Sequence, residues 1–189
     1  MNNRFDIQGA VTRVMYQPAD YLHSSRLFSG LPPAVQSVSY RRMQNAAIMD
    51  YYRLPHEQDF DLCSPLTIPL LRHWIQLPAV CHYLDSLIRH VYDLPGETET
   101  ESERSQQAFL SLCPVLSLPA WPEAQTLPDI PAVLPGLIAM TQLLSGFSPA
   151  LAARFQLMTD ASLPQADIQL PHLPDSLLPL VLHYVPFTA

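Results

Sequence analysis

The chain has 189 residues, of which 48% are apolar and only 14% charged, so it can bury a sizeable core and disorder of the whole chain is excluded. Its net charge of −7 disfavours a protein that binds nucleic acid by neutralising phosphates. The three cysteines are an odd number without the dense spacing of secreted disulfide scaffolds, and they indicate reduced thiols in a cytosol.

The N-terminal residues contain two differently patterned segments. Residues 1–17 scatter apolar side chains among polar ones and are predicted to form an irregular arm, and they show no apolar stretch typical of a signal peptide. Residues 18–27 place polar and aromatic side chains at spacings that neither a helix nor a strand period requires. This pattern favours a docking or capping element.

Two helical regions are predicted next. Residues 34–53 lack Gly and Pro and repeat apolar residues near one side of a 3.6-residue period. Ser64 before Pro65 has the pattern of an N-cap followed by the first helical residue, and Pro78 then interrupts the apolar run. After Pro78, apolar residues recur every three or four positions and predict a helix to about Asp93.

An acidic segment divides the chain. Residues 94–104 carry four Glu and almost no apolar residue, which predicts a solvated, mobile loop; a contact for an arginine-bearing partner is the alternative. Residues 130–153 are uncharged and long enough to cross a bilayer, but their Pro, Gly and polar residues favour a buried helix over direct membrane insertion.

The C-terminal part is predicted to be helical as well. A short helix is expected over 106–112, an apolar helix over 137–144, and another helix that begins at Ser148 and Pro149. A proline-broken segment, 163–175, precedes a last helix. No segment alternates with period two, so we predict a mainly α fold: a single compact helical domain, residues 1–189, with proline-rich connections and an irregular N-terminal arm.

No metal site or catalytic site is predicted. The densest set of possible ligands is Cys63, His73, Cys81, His82 and His90, and it lacks the close ligand pairs of zinc sites. A Cys-His hydrolase needs a thiolate beside an imidazole. Cys81 and His82 are adjacent and would point about 100° apart on a helix, so packing is the better interpretation and no enzyme is predicted.

Aromatic and arginine residues are the candidate contact residues, because Trp, Tyr and Arg dominate binding energy in complexes. One candidate surface consists of Asp20, Tyr21, His23 and Arg26. Arg72 and Trp74 are candidates for a second surface or for the packing beneath the first. The alternatives are a local hydrogen-bonded cap for the first group and a core position for Trp74.

Three blocks together carry a family resemblance. They are Pro18-x-x-Tyr21-Leu22-His23-x-x-Arg26-Leu27, Leu71-Arg72-His73-Trp74-x-x-Leu77-Pro78-x-Val80-x-x-x-Leu84, and Leu151-Ala152-Ala153-Arg154-Phe155. The residues of these blocks, the order of the blocks and the length of the chain resemble the SctK family of type III secretion proteins, whose members include OrgA, MxiK and PscK. The resemblance spans residues 14–158; the acidic loop and the tail after residue 163 depart from the family pattern.

The resemblance implies a cytosolic, mainly helical adaptor of the sorting platform, peripheral to the inner membrane. Such an adaptor joins the cytosolic domain of the ring protein SctD to the pod protein SctQ, which carries the stalk SctL and the ATPase SctN. It implies no reaction and no cofactor. The competing hypothesis is a secreted effector or a small Cys/His hydrolase, favoured by the lack of Lys and by the cysteine-histidine pairs.

Overall fold

The computed structural model describes residues 6–31, 37–91, 134–162, 174 and 176–184. Within these ranges the chain forms seven α-helices and no strand, which confirms the prediction of a mainly α protein. The helices are α1 (Ile7–Tyr16), α2 (Val38–Tyr51), α3 (Thr67–Arg72), α4 (Leu77–Val91), α5 (Leu134–Phe147), α6 (Pro149–Phe155) and α7 (Leu177–Tyr184). Three predicted elements lie outside the described residues: the acidic loop 94–104, the helix over 106–112, and segment 163–175 except for Pro174.

Contacts group the chain into two compact units, each drawn from two stretches of sequence. Unit 1 comprises Met1–Ile75 and Leu144–Pro164, and unit 2 comprises Gln76–Leu143 and Gln165–Ala189. All six candidate contact residues belong to unit 1.

Within the predicted arm, residues 1–17, the stretch Ile7–Tyr16 forms helix α1, which corrects the prediction of an irregular segment there. Asp6 caps α1 by accepting a hydrogen bond from the Gly9 backbone N–H at 3.0 Å. Val11, Val14 and Met15 are buried and follow the helical period. Apolar residues scattered among polar ones indicated an irregular segment, whereas Asp6 caps a helix that the apolar residues help to bury.

Helix α2 lies inside the predicted range 34–53 and ends in a Schellman motif. The Leu54 N–H donates to the Met49 carbonyl at 2.9 Å, and the Arg53 N–H donates to the Asp50 carbonyl at 3.1 Å. Arg53 has a φ of +50°, the left-handed position that Gly usually occupies in this motif. The motif turns the chain sharply after Tyr52.

The predicted break before the fourth helix is present, but its details differ from the expectation. Helix α3 starts at Thr67 instead of Pro65, and Ser64 accepts the Leu66 N–H at 3.4 Å from outside the helix. A 3-10 turn, Trp74–Gln76, separates α3 from α4. Pro78 therefore lies in the first turn of α4, where its missing N–H costs no hydrogen bond.

Helix α6 begins as predicted, with Ser148 as N-cap and Pro149 as the first helical residue. The Ser148 hydroxyl oxygen accepts the Leu151 N–H at 3.0 Å. Asp59, distant in sequence, accepts both the Ser148 hydroxyl and the Ala150 N–H, the latter at 2.9 Å. A carboxylate at this helix N-terminus is also favoured by the helix dipole.

Unit 2 is built on α4 and α7, which pack against each other. The buried residues of α4 include Val80, Cys81, Leu84, Leu87 and Ile88, and those of α7 are Leu177, Leu178, Val181 and Leu182. The first turn of α5 lies directly against α4 at Gly136, whose N–H donates to the Asp85 carboxylate at 3.4 Å. A Cβ at Gly136 would overlap the Cys81 carbonyl oxygen and lie 2.8 Å from the Asp85 nitrogen, so only Gly fits.

Candidate partner-binding surface

Residues 18–27 form two 3-10 turns around Tyr21. The first turn, Pro18–Asp20, has a proline at its start, and the second, Ser24–Arg26, follows His23. The His23 Nδ1 accepts the Ser25 N–H at 3.2 Å and so caps the second turn. The expectation of a hydrogen-bonded capping element agrees with this geometry.

Tyr21 anchors the segment in the core of unit 1. Its side chain is buried, and its hydroxyl donates to the Val14 carbonyl of α1 at 2.6 Å. Its ring meets the Trp74 ring edge to face at a centroid distance of 5.8 Å. Burial raises the pKa of the Tyr21 hydroxyl well above its usual value near 10. Tyr21 thus lies beneath the surface instead of on it.

His23 and Arg26 fasten the segment to the residues that follow α6. The backbone N–H of His23 donates to the Leu157 carbonyl at 2.8 Å. Arg26 donates from Nε to the Thr159 carbonyl at 2.7 Å and from Nη2 to the Thr159 hydroxyl at 3.4 Å. The Arg26 carbonyl in turn accepts the Tyr52 hydroxyl at 2.5 Å. Both side chains are half-buried; that of Arg26 bonds to Thr159, whereas the His23 ring bonds to Ser25.

Asp20 joins the segment to α2. Its carboxylate lies 2.5 Å from Nη2 of Arg41, and the side chains of Asp20 and Arg41 are 19% and 63% exposed. Next to this ion pair, the Ala19 N–H donates to the Asn45 side-chain oxygen at 2.9 Å. The Asp20–Arg41 ion pair therefore lies at the surface, next to a part-buried hydrogen bond that also joins the segment to α2.

Arg72 and Trp74 are close in sequence but differ in environment. Arg72 is exposed at the end of α3. Trp74 is buried against Tyr21, and its Nε1–H has no acceptor among the residues that the structure describes. The structure brings Trp74 together with Tyr21, whereas Arg72 lies on the outside.

Sequence reasoning missed Arg154 as a key residue, although it lies in the third block of the family resemblance. Arg154 is fully buried. It donates to the Met15 carbonyl from Nε at 3.1 Å and from Nη2 at 2.8 Å, to Pro55 at 2.6 Å and to Ala150 at 3.0 Å. Burial lowers the pKa of its guanidinium. No periodicity could reveal its role, because two of its acceptors, the Met15 and Pro55 carbonyls, lie in distant segments.

The two cysteines of the set that the sequence analysis rejected as metal ligands, Cys63 and Cys81, lie in different environments. Cys63 is exposed, whereas Cys81 is buried in unit 2, where desolvation raises the pKa of its thiol. Among the described residues, no three His, Cys, Asp or Glu side chains gather closely enough to hold a metal ion. Within the same ranges, no helix combines the length and hydropathy needed to cross a membrane.

Comparison with known proteins gives one informative match. The family of bacterial type III secretion apparatus proteins designated OrgA_MxiK matches residues 11–185, which contain every helix except the first turn of α1. No curated protein and no solved structure gives a match. Since the matched region covers far more than half of the chain, the protein belongs to the OrgA_MxiK family of bacterial type III secretion apparatus proteins.

Proposed function

We propose that this protein is a non-enzymatic adaptor of the type III secretion sorting platform. It links the cytosolic domain of an SctD-type ring protein to an SctQ-type pod protein, and through the latter to an SctL-type stalk and an SctN-type ATPase. It acts in the cytoplasm, peripherally at the inner-membrane apparatus. Membership of a secretion apparatus family supports this role. The raised pKa of the Cys81 thiol supports a packing role for that residue over a nucleophilic one.

The observation that carries the proposal is the fixed conformation of residues 18–27. Hydrogen bonds from His23 and Arg26 tie the segment to residues 157–159, and Tyr21 ties it to α1. A contact segment that is already ordered loses little conformational entropy when a partner binds. The arrangement suits an element that presents a fixed set of polar groups.

The six candidate residues take different roles in this proposal. Asp20, His23 and Arg26 form the contact surface together with Arg41, which is paired with Asp20. The buried pair Tyr21 and Trp74 supports this surface from below. Arg72, exposed at the end of α3, belongs to the second contact.

Co-purification with the ring protein's cytosolic domain and with the pod protein tests the adaptor role. We expect the wild-type chain to retain both partners. Asp20→Arg should weaken one of the two complexes, and the double variant Asp20→Arg with Arg41→Asp should restore the intramolecular ion pair without restoring the complex. Helical circular dichroism should be unchanged in both variants. Retention of neither partner by the wild-type chain would reject the adaptor role.

Deletion of the gene separates an adaptor from an effector. Loss of an adaptor should abolish secretion of all substrates, because the ATPase is then no longer linked to the ring. Loss of an effector should leave the export of other substrates intact. Selective loss of one secreted activity, with normal export of the rest, would contradict the proposal.

A further inference from the structure

The ring of His23 caps the second turn of segment 18–27 through one of its nitrogens. Nδ1 accepts the backbone N–H of Ser25 at 3.2 Å and lies 2.7 Å from the Ser25 hydroxyl oxygen. A backbone N–H can only donate, so Nδ1 carries no proton in this arrangement and the neutral ring holds its proton on Nε2. The cap of the turn Ser24–Arg26 therefore exists only while His23 is uncharged.

The Ser25 hydroxyl connects this ring to the residues that follow α6. Its oxygen accepts the Ala161 N–H at 2.9 Å, and the Asp160 carboxylate lies close by. Hydrogen bonds from Ser162 hold the pKa of the Asp160 carboxyl below its usual value. The Ser25 hydroxyl and a charged His23 ring lower that pKa further. Asp160 therefore stays ionised throughout the pH range in which histidines titrate.

A protonated His23 has a different set of partners. With a proton on Nδ1, the ring can no longer accept the Ser25 N–H and donates to the Ser25 hydroxyl oxygen instead. That oxygen then accepts from Nδ1 and from the Ala161 N–H, which uses both of its lone pairs, and its own proton turns towards Asp160. Loss of the cap disfavours the charged ring, whereas the Asp160 carboxylate favours it. The two protonation states thus differ in the backbone bond of Ser25.

Polar bonds, instead of apolar packing, order the turn on which His23 acts. The turn Ser24–Arg26 buries no residue. Arg26, the charged group on this turn, directs its guanidinium to the carbonyl and the hydroxyl of Thr159. Asp160 is the charged group that the residues after α6 bring to the ring. Because no side chain of the turn is buried, the loss of one backbone cap loosens it.

We propose that His23 is a proton-sensitive switch of the contact surface. With a neutral ring, the second turn is capped and the surface binds its partner; with a charged ring, the cap is lost and the affinity falls. This inference rests on the proposed adaptor function and adds a regulation of one of its two contacts. An ordered segment loses less conformational entropy on binding, so uncapping the turn weakens the complex. Loss of one cap corresponds to an affinity about two- to fivefold lower.

Nuclear magnetic resonance of the free chain tests the switch without a partner. At about pH 8, the ring nitrogen shifts of His23 should show a bare Nδ1 and a protonated Nε2. As the pH falls from about 8 to about 6, the Ser25 amide proton should move upfield because it loses its acceptor. His23→Asn is the matched variant, since the Asn Oδ1 takes the place of Nδ1 as an acceptor and does not titrate. Its Ser25 amide should not respond to pH over this range.

Affinities for the pod protein and for the ring protein's cytosolic domain are measured over the same pH range. Wild-type affinity for one partner should fall by about two- to fivefold as the pH falls, and His23→Asn should lose most of this dependence. His56→Asn is the control and should follow the wild type, since His56 is an exposed histidine of unit 1 outside segment 18–27. Asp160→Asn should move the transition to lower pH, because a carboxylate no longer favours the charged ring.

Several outcomes would overturn the switch. A proton on Nδ1 of His23 at about pH 8 would exclude the cap. A Ser25 amide that responds to pH equally in the wild type and in His23→Asn would show that the ring does not control it. If the wild-type chain binds a partner and His23→Asn has the same pH dependence of affinity, the adaptor role stands and His23 does not regulate it. If the wild-type chain binds neither partner, the adaptor role and its regulation both fail, whatever the resonances show.

Discussion

Replacing the buried Arg154 by Met should destabilise unit 1 strongly. Methionine retains much of the apolar length but removes every donor. The Ala150 carbonyl oxygen still accepts the α-helical hydrogen bond from the backbone N–H of residue 154. The carbonyls of Met15 and Pro55 lose the bonds of 2.6–3.1 Å that Arg154 now provides.

The expected loss of folding free energy follows from the Met15 and Pro55 carbonyls that are left without a donor. A buried polar group left without a partner costs about 1–3 kcal/mol, so the two together cost about 2–6 kcal/mol. Part of this is offset because the guanidinium no longer has to be desolvated. We therefore expect a loss of about 3 kcal/mol, a large share of the ~5–15 kcal/mol typical of a folded domain.

Thermal unfolding followed by circular dichroism measures the effect. For a chain of this length, a loss of 3 kcal/mol lowers the Tm by roughly 6–12 °C. Arg154→Lys should also lower the Tm, because a single ammonium cannot reproduce the planar fork that reaches Met15 and Pro55. Arg13→Met, at an exposed position on α1, is the control and should change stability by less than about 0.5 kcal/mol.

Equal Tm values for Arg154→Met and the wild type would refute the reasoning. Such a result would mean that other groups satisfy the two carbonyls, and that the guanidinium does not hold α1, α6 and the residues near Pro55 together.

Three further predictions concern single side chains. Gly136→Ala should destabilise unit 2 by about 1–3 kcal/mol through overpacking, whereas Gly146→Ala, which has open space around it in the same helix, should be neutral or slightly stabilising. Equal denaturant midpoints for the two variants would contradict the close approach at Gly136. Iodoacetamide at about pH 8 should label Cys63 rapidly and Cys81 only in denaturant, because burial shields the Cys81 thiol and raises its pKa. Mass spectrometry measures the labelling, and rapid labelling of Cys81 in the native protein would argue against its burial. Since the pKa of the Tyr21 hydroxyl is raised in the folded state, the unfolded state loses the hydroxyl proton first above about pH 10, and the free energy of unfolding falls as pH rises. In urea titrations, Tyr21→Phe should weaken this fall in stability at alkaline pH, and an identical fall would exclude Tyr21 as its source.

Local signals explain which elements could be predicted from the sequence. The start of α6 was predicted correctly because Ser148 and Pro149 are adjacent to the helix they begin, and their cap needs no distant residue. Helix α1 was not predicted, although Asp6 offers a local cap, because its apolar residues are scattered among polar neighbours. A short apolar run with β-branched residues does not by itself distinguish helix from strand.

Long-range contacts explain the rest. The hydroxyl of Tyr21 finds its acceptor on α1 and its ring finds Trp74, and neither partner is marked by spacing. Likewise, Arg26 could be recognised as unusual in its block, but its bond to Thr159 depends on a fold that the sequence does not display locally. The family resemblance located the important blocks without revealing which side chains are buried.

The division of unit 1 between two distant stretches of sequence has a consequence for biosynthesis. When the ribosome has released residues 1–75, α1 still lacks the guanidinium of Arg154, 139 positions downstream of Met15. Asp59 likewise lacks its partner Ser148. Because buried apolar residues such as Leu151 and Phe155 come from the second stretch, the nascent first stretch exposes an incomplete apolar core until that stretch emerges. Folding must close long loops, which slows it. N-terminal fragments of this chain should therefore depend on chaperones or aggregate.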